Sequence, residues 1–227
     1  MNYELILLDA DGTLFDYDKA EANALEKTFI YFNLEYNEEQ KLKEYRIINK
    51  QIWIDYECGK ISSEDLRIER FRRLFENYIE EVNLELFSKQ YLSMLGKGSY
   101  LIDGAVELCS YISKKYKVAI LTNGIKDVQL SRINNSPLNK YIHYIITSEE
   151  TGYKKPEVGI FDYAFDAVGH ADKDTTIIIG DSLSSDIKGG KNYGISTCWY
   201  NSIGEENKTG LKPDYEIKNL NELFKLL

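Results

Sequence analysis

The residues of this 227-residue chain with the most chemical promise stand where short apolar runs stop. Residues 5–8 form an unbroken apolar run, of a length that suits a strand buried on both faces, and it gives way to Asp9, Ala10, Asp11 and Gly12. Side chains alternate along an extended strand, so Asp9 and Asp11 are expected to reach into one space at its carboxyl end, where open α/β sheets bind ligands. Two carboxylates so close raise each other's pKa unless a cation lies between them. Alone, the stretch reads equally as an acidic turn. The apolar run 118–121 ends in Thr122, Asn123 and Gly124, and the run 175–179 ends in Gly180 and Asp181, with Asp186 five residues on. Lys155 stands before Pro156.

Each of these has a mundane reading: a turn, a helix cap, a solvated lysine. Together, at corresponding ends of successive strands, they fit phosphoryl transfer through an aspartyl phosphate. Asp9 and Asp181 offer the hard oxygen ligands that Mg²⁺ takes, and Asp186 is a further candidate. A metal there reduces the repulsion among the carboxylates and between Asp9 and an anionic phosphate. Thr122 and the backbone N–H groups of the helix start after it, at Asn123 and Gly124, suit phosphate oxygens. Lys155 adds a point charge for the same oxygens. Asp11 suits a general acid that protonates the leaving oxygen and then, as a base, activates water.

The elements that must position these groups alternate. Strands are expected near 5–8, 118–121, 144–146, 175–179 and 196–200, with a weak edge strand at 215–217. Helices are expected over 104–115, 125–134, 184–193 and 220–227, and one starting at Pro156. Such alternation predicts an α/β fold with a doubly wound parallel sheet. Residues 16–97 carry no strand signal. Asp18 with Glu21, Asn37 with Gln40, Ser62 or Ser63, and Leu84 mark four helix starts there, and Phe71, Leu74, Phe75 and Tyr78 form the third helix's apolar face. The chain therefore divides into a core, 1–15 with 98–227, and an all-helical insert, 16–97, after the first strand.

Composition narrows the function. The balance of 28 Lys+Arg against 37 Asp+Glu, net −9, disfavours a nucleic acid polymer or an anionic membrane as partner. Cys58, Cys109 and Cys198 are scattered and odd in number, as in a reduced cytoplasmic protein, and the two histidines, His143 and His170, make a zinc site improbable. The N-terminal apolar run is too short for a signal peptide or a membrane span. A small-molecule phosphate monoester is the expected partner, bound by a monomer or weak homodimer.

Four segments carry a resemblance to the haloacid dehalogenase (HAD) superfamily: Asp9-Ala10-Asp11-Gly12-Thr13-Leu14, Leu121-Thr122-Asn123-Gly124, Lys155-Pro156, and Gly180-Asp181 through Asp186. The resemblance implies a HAD-like Rossmannoid core with a helical cap that selects substrate. It implies Asp9 as nucleophile and Mg²⁺ ligand, and Asp11 as acid/base whose main-chain carbonyl also meets the metal. Thr122 and Lys155 would hold the transferred phosphate, Asp181 would ligate the metal and Asp186 would support it. A narrower resemblance, to the YjjG-type pyrimidine 5′-nucleotidases, runs through residues 49–62, 147–156 and 197–201. It implies pyrimidine nucleoside 5′-monophosphates as substrates, with Asn49 and Trp53 facing the substrate.

Tyr153-Lys154 departs from the small apolar residues usual before that lysine, and Ile52, Trp53 and Tyr56 at helical spacing read equally as helix packing. Competing readings are a phosphatase or phosphomutase acting on a sugar phosphate or phosphoglycolate, and a catalytically silent binding protein on the same fold. Dehalogenation has no use for a metal-supported acid at Asp11, and phosphonate hydrolysis would need a cap lysine, for which Lys50 is a weak candidate.

Overall fold

Aliphatic runs build a single sheet in the computed structural model, which describes residues 3–76 and 81–227. Its strands are β1 (Leu5–Leu8), β2 (Lys117–Thr122), β3 (Tyr144–Thr147), β4 (Thr176–Gly180), β5 (Ser196–Tyr200) and β6 (Tyr215–Ile217). Their order is β3-β2-β1-β4-β5-β6, and each neighbouring pair is parallel. Winding runs outward from β1 to β3 on one side and from β4 to β6 on the other, so the topological switch point lies between β1 and β4.

Period-two alternation sends neighbouring residues into opposite layers. Ile6, Leu8, Ile120, Ile177 and Ile179 join one apolar cluster, and Leu5, Leu7, Ala119, Leu121 and Ile178 join the other. The first is covered by α5 (Ala105–Ile112) and α6 (Lys126–Asn134), through Leu108, Ile112 and Ile133. The second is covered by α8 (Val158–Val168), through Ile160, Phe161 and Ala164. Each central isoleucine is fully buried, worth about 1.5–3 kcal/mol. This is the doubly wound parallel α/β sheet that the alternation predicts.

The chain forms two compact units: residues up to Tyr17 with Ser99–Leu227, and Asp18–Gly98. Both connecting segments are laced to the sheet unit, because Asp16 N–H donates to the Tyr100 carbonyl and Ile102 N–H to the Leu14 carbonyl, each at 3.0 Å. The helical unit holds α1 (Tyr17–Tyr31, from its second residue), α2 (Lys43–Glu57), α3 (Ser63–Leu74) and α4 (Leu84–Lys97). Asn37 caps the helical turn leading into α2, Ser62 with Asp65 forms a capping box on α3, and Asn83 caps α4. Its core is aromatic: Phe29, Tyr45, Phe71, Phe87 and Tyr91 are fully buried, with Phe29 and Phe87 edge to face at 5.5 Å. Tyr78, expected on the third helix, lies outside the described residues.

Several local expectations give way to competing bonds. Glu21 does not close a capping box with Asp18; it is buried and accepts hydrogen bonds from Arg46 Nε and Asn49 Nδ2, both at 2.9 Å. The helix expected at Pro156 starts instead at Val158 with Glu157 as its cap, because Glu157 N–H closes a tight turn onto the Lys154 carbonyl at 2.7 Å. The C-terminal helix is a 3₁₀ segment, Leu220–Lys225. Between β3 and α8 lies a single-turn helix, α7 (Ser148–Thr151), too short for a periodic signal. A helical turn at Leu183–Ile187, capped by Ser182, leads into α9 (Lys188–Tyr193). No helix among the described residues is long and apolar enough to cross a membrane.

Candidate active site

Asp9 is the first residue beyond β1, and its N–H extends the ladder by one step to the Ile179 carbonyl at 2.9 Å. Asp181 is the first beyond β4. Both carboxylates therefore stand at the switch point. Past Asp9 the chain folds back, with Leu14 and Phe15 N–H groups on the Ala10 carbonyl at 2.9 Å. The reversal needs Gly12: its φ is +81°, and a Cβ would fall 2.5 Å from an Asp181 carboxylate oxygen. Gly180 is required for a second close approach, since its Cβ would meet the Asp186 carboxylate at 2.2 Å.

Lys155 is buried, with its ammonium 2.5 Å from Asp9 Oδ1 and 2.6 Å from Asp186 Oδ1. Ser182 N–H holds the other Asp186 oxygen at 3.0 Å. Burial alone would pull the Lys155 pKa down, but Asp186 and then Asp9 outweigh it and hold the ammonium above the usual lysine value. Asp9 goes well above the usual carboxylate range, through burial first and the Asp186 and Asp181 charges next, against the pull of Lys155. Asp181 is the most exposed of the three; desolvation of its carboxyl first, then the Asp186 charge, raises it to about 7.

One oxygen from each of Asp9, Asp181 and Asp186 lies within 4.8 Å of the others. Three hard donors so placed fit a small divalent cation that completes its shell with water or substrate oxygens. Such a cation would relieve the repulsion that raises Asp9 and Asp181.

Asp11 departs from the sequence reading. Its carboxylate bonds to Arg132 and Gln129 of α6 and lies outside the acidic cluster. The strand ends at Leu8, so the alternation that should have aimed Asp9 and Asp11 together stops before either. Arg132 is fully buried, with its guanidinium 4.7 Å from the centre of the Phe15 ring.

Thr122, the buried last residue of β2, accepts a hydrogen bond from Gly124 N–H at 3.0 Å. Asn123 Oδ1 accepts from Lys155 N–H at 2.8 Å, and its Nδ2 donates to the Lys155 carbonyl at 2.9 Å. Sequence reasoning missed Gln129, Arg132 and Trp199, whose indole N–H donates to the Asp181 carbonyl at 2.8 Å. For the first two a signal existed: they are polar residues at helical spacing with Ile125, Val128 and Ile133, on what should be an apolar stripe. In the helical unit Asn49 is buried against Glu21, and Trp53 is half-buried, edge to face with Tyr56 at 5.8 Å.

Comparison with known proteins matches residues 6–200 to the family described as haloacid dehalogenase-like hydrolase. The HAD-hydrolase YfnB of Bacillus subtilis is 36% identical over 225 residues, covering 99% of this chain and 95% of that protein. Pyrimidine 5′-nucleotidase YjjG of Escherichia coli is 33% identical, covering 100% of this chain and 99% of its own. Pyrimidine 5′-nucleotidase PynA of Streptococcus pneumoniae is 34% identical, covering 100% and 96%. The crystal structure of YfnB, bound to magnesium and described as revealing interdomain movement, matches with a TM-score of 0.93 at 35% identity, over 100% of this chain and 99% of that one. On the family match and these end-to-end relatives, the chain belongs to the haloacid dehalogenase-like hydrolases and resembles the pyrimidine 5′-nucleotidases among them.

Proposed function

We propose that the chain is a Mg²⁺-dependent phosphatase that hydrolyses pyrimidine nucleoside 5′-monophosphates through an aspartyl phosphate. The observation that carries the reaction class is the Lys155 ammonium shared by Asp9 and Asp186 beside Asp181. A buried cation facing a nucleophile at the switch point suits a substrate that brings its own negative oxygens. The two full-length relatives named pyrimidine 5′-nucleotidases support the leaving group.

In this reading an Asp9 oxygen attacks phosphorus and displaces the nucleoside 5′-oxygen, which takes a proton from Asp11 once that carboxyl turns from Arg132 and Gln129. Asp11 then takes a proton from water, whose oxygen attacks phosphorus and frees inorganic phosphate and Asp9. Thr122, the main-chain N–H groups at Asn123 and Gly124, and Lys155 hold the phosphate oxygens. Asp9, Asp181 and Asp186 would hold Mg²⁺ together with the Asp11 carbonyl, and when bound it supplies neutralising charge. The helical unit would be the cap that selects the leaving group, with Asn49 and Trp53 in that role, and the buried thiols of Cys109 and Cys198 fit the cytoplasm.

Phosphate release from a generic aryl phosphate, with Mg²⁺ and after chelation, tests the reaction. Specificity is tested by kcat/KM for uridine, thymidine and deoxyuridine monophosphates against purine monophosphates, glucose 6-phosphate and phosphoglycolate. A purine or sugar phosphate outrunning every pyrimidine nucleotide would remove the substrate assignment and leave the phosphatase chemistry standing. Pocket discrimination of about 1–3 kcal/mol per small group makes moderate selectivity the expected result.

A further inference from the structure

Lys155 lies in the connection between α7 and α8, outside any helix or strand, yet its ammonium meets two carboxylates at 2.5 and 2.6 Å. A lysine reaches its target through four rotatable carbons, so this placement needs a fixed main chain beneath it. Asn123 is the side chain bonded to both polar main-chain atoms of Lys155, accepting from its N–H at 2.8 Å and donating to its carbonyl at 2.9 Å. A donor and an acceptor facing the amide also settle which amide atom is oxygen. Asn123 is anchored in turn: it follows the last residue of β2, and its carbonyl accepts from the hydroxyl of Ser148, buried at the start of α7, at 3.2 Å.

We propose that the Asn123 side chain is a positioning residue, a bracket that sets the Lys155 ammonium between Asp9 and Asp186, and not a ligand for the substrate. The acceptor and one donor of its carboxamide are committed to the Lys155 main chain. This ties the loop that holds the cation to the end of β2 across 32 residues of sequence. Its kinetic consequence rests on the phosphatase reading; its structural consequence does not.

The test compares the full-length chain with Asn123→Ala, Asn123→Asp, Lys155→Ala and the Asn123→Ala/Lys155→Ala double variant, on an aryl phosphate with Mg²⁺. Asn123→Asp keeps the size and the acceptor for Lys155 N–H but sets a carboxylate oxygen against the Lys155 carbonyl, so it breaks one bond without a cavity and serves if the alanine variant does not fold. Asn123→Ala should lower kcat/KM by about 10²-fold, with kcat falling and KM rising together, as expected of a charge displaced by about an ångström. In the Lys155→Ala background the same change should cost less than about twofold, because the group it positions is gone. Equal losses in both backgrounds would mean that Asn123 acts independently of Lys155 and would overturn the proposal. A crystal structure of Asn123→Asp supplies the arm free of activity: a displaced Lys155 ammonium supports the bracket, and an unmoved one overturns it. Wild-type inactivity toward every phosphate ester would count against the phosphatase reading, with the crystal structure still deciding this one.

Discussion

Glu21 in the helical unit and Asp9 in the sheet unit are both carboxylates with almost no exposed surface, 2% and 7%, and burial pushes both above their ordinary range. Their surroundings differ. Glu21 receives an Arg46 guanidinium and an Asn49 amide, one bond to each oxygen, and its nearest like charge, Asp18, is largely in solvent. Asp9 shares the single charge of Lys155 with Asp186, and Asp181 crowds the same space. The first carboxylate is matched within its own unit. The second belongs to a set whose three negative charges exceed its one positive charge, an arrangement costly without a further cation. The packing differs in the same sense. The sheet is filled by aliphatic residues that hold strand ends in register, while the helical unit packs aromatic rings and exposes Ile30, Tyr31, Ile47, Ile54 and Leu86.

Converting each carboxylate to its amide should break this comparison most widely. Asp9→Asn is expected to lower turnover by at least about 10⁴-fold, the scale on which removing a nucleophile acts, while the folded chain persists on the remaining Lys155–Asp186 pair. Glu21→Gln should keep turnover within about twofold of wild type. Steady-state rates with a thermal melt measure both. Retention of a tenth of the activity by Asp9→Asn would take the nucleophile's role from Asp9.

The next effect is that of Asp11→Asn. Loss of proton transfer is worth roughly 10²–10⁴-fold, so turnover should fall by that much while Mg²⁺ and substrate binding persist. A wild-type pH–rate profile in this variant would remove Asp11 from acid–base work. The change leaves the buried Arg132 guanidinium opposite a neutral side chain, so a thermal melt and Mg²⁺ binding isotherms accompany the rates and separate lost chemistry from lost stability.

Much of this site is legible in the sequence because strand ends carry it. Asp9, Thr122 and Asp181 stand where apolar runs stop, and parallel strands in one register bring such ends together. Lys155 and Asp186 lie away from strand ends: their charge makes them candidates beside the strand-end groups, and the resemblance narrows their roles. What stayed hidden is side-chain direction beyond a strand. The Asp11 carboxylate turns to Arg132 because β1 has already ended, and Asn123 bonds to the Lys155 main chain, which spacing cannot report. The helical unit was readable as four helices from caps and periodicity. The partners of Glu21, Arg46 and Asn49 were not, since they lie 25 and 28 residues away in sequence.

A stability comparison sharpens the contrast between buried and half-exposed ion pairs. Arg132→Met removes a fully buried guanidinium from Asp11 and from the Phe15 ring, and should cost about 3 kcal/mol, the lower end for breaking a buried pair because the Asp11 side chain is 26% exposed. Arg46→Met removes a guanidinium 40% exposed but leaves buried Glu21 with the Asn49 bond alone, a loss eased because its raised carboxyl can take up a proton, and should cost about 1–2 kcal/mol. Urea unfolding of each variant measures the difference. Equal costs would mean that burial of the arginine does not set the strength of the pair.

The smallest expected effect concerns the pH dependence of Glu21. Burial raises its carboxyl above the ordinary 4.5, against the Arg46 hydrogen bond and charge and the Asn49 bond, which pull it down. The folded chain therefore holds the Glu21 proton more tightly than the unfolded chain. Between the ordinary value and the raised one, the folded state carries more protons, so this group's contribution to stability falls as pH rises through that window. Glutamine cannot titrate, and Glu21→Gln keeps the acceptor for Asn49 while removing both the charge opposite Arg46 and its burial cost, so its stability does not follow this window. Urea midpoints for wild type and Glu21→Gln between about pH 4 and pH 7 isolate the group, because every other titration is common to both chains. The stability advantage of wild type should shrink as pH rises. An advantage that grows instead would mean that the Arg46 pair outweighs burial, leaving Glu21 a stabilising ion-pair partner whose charge the fold favours.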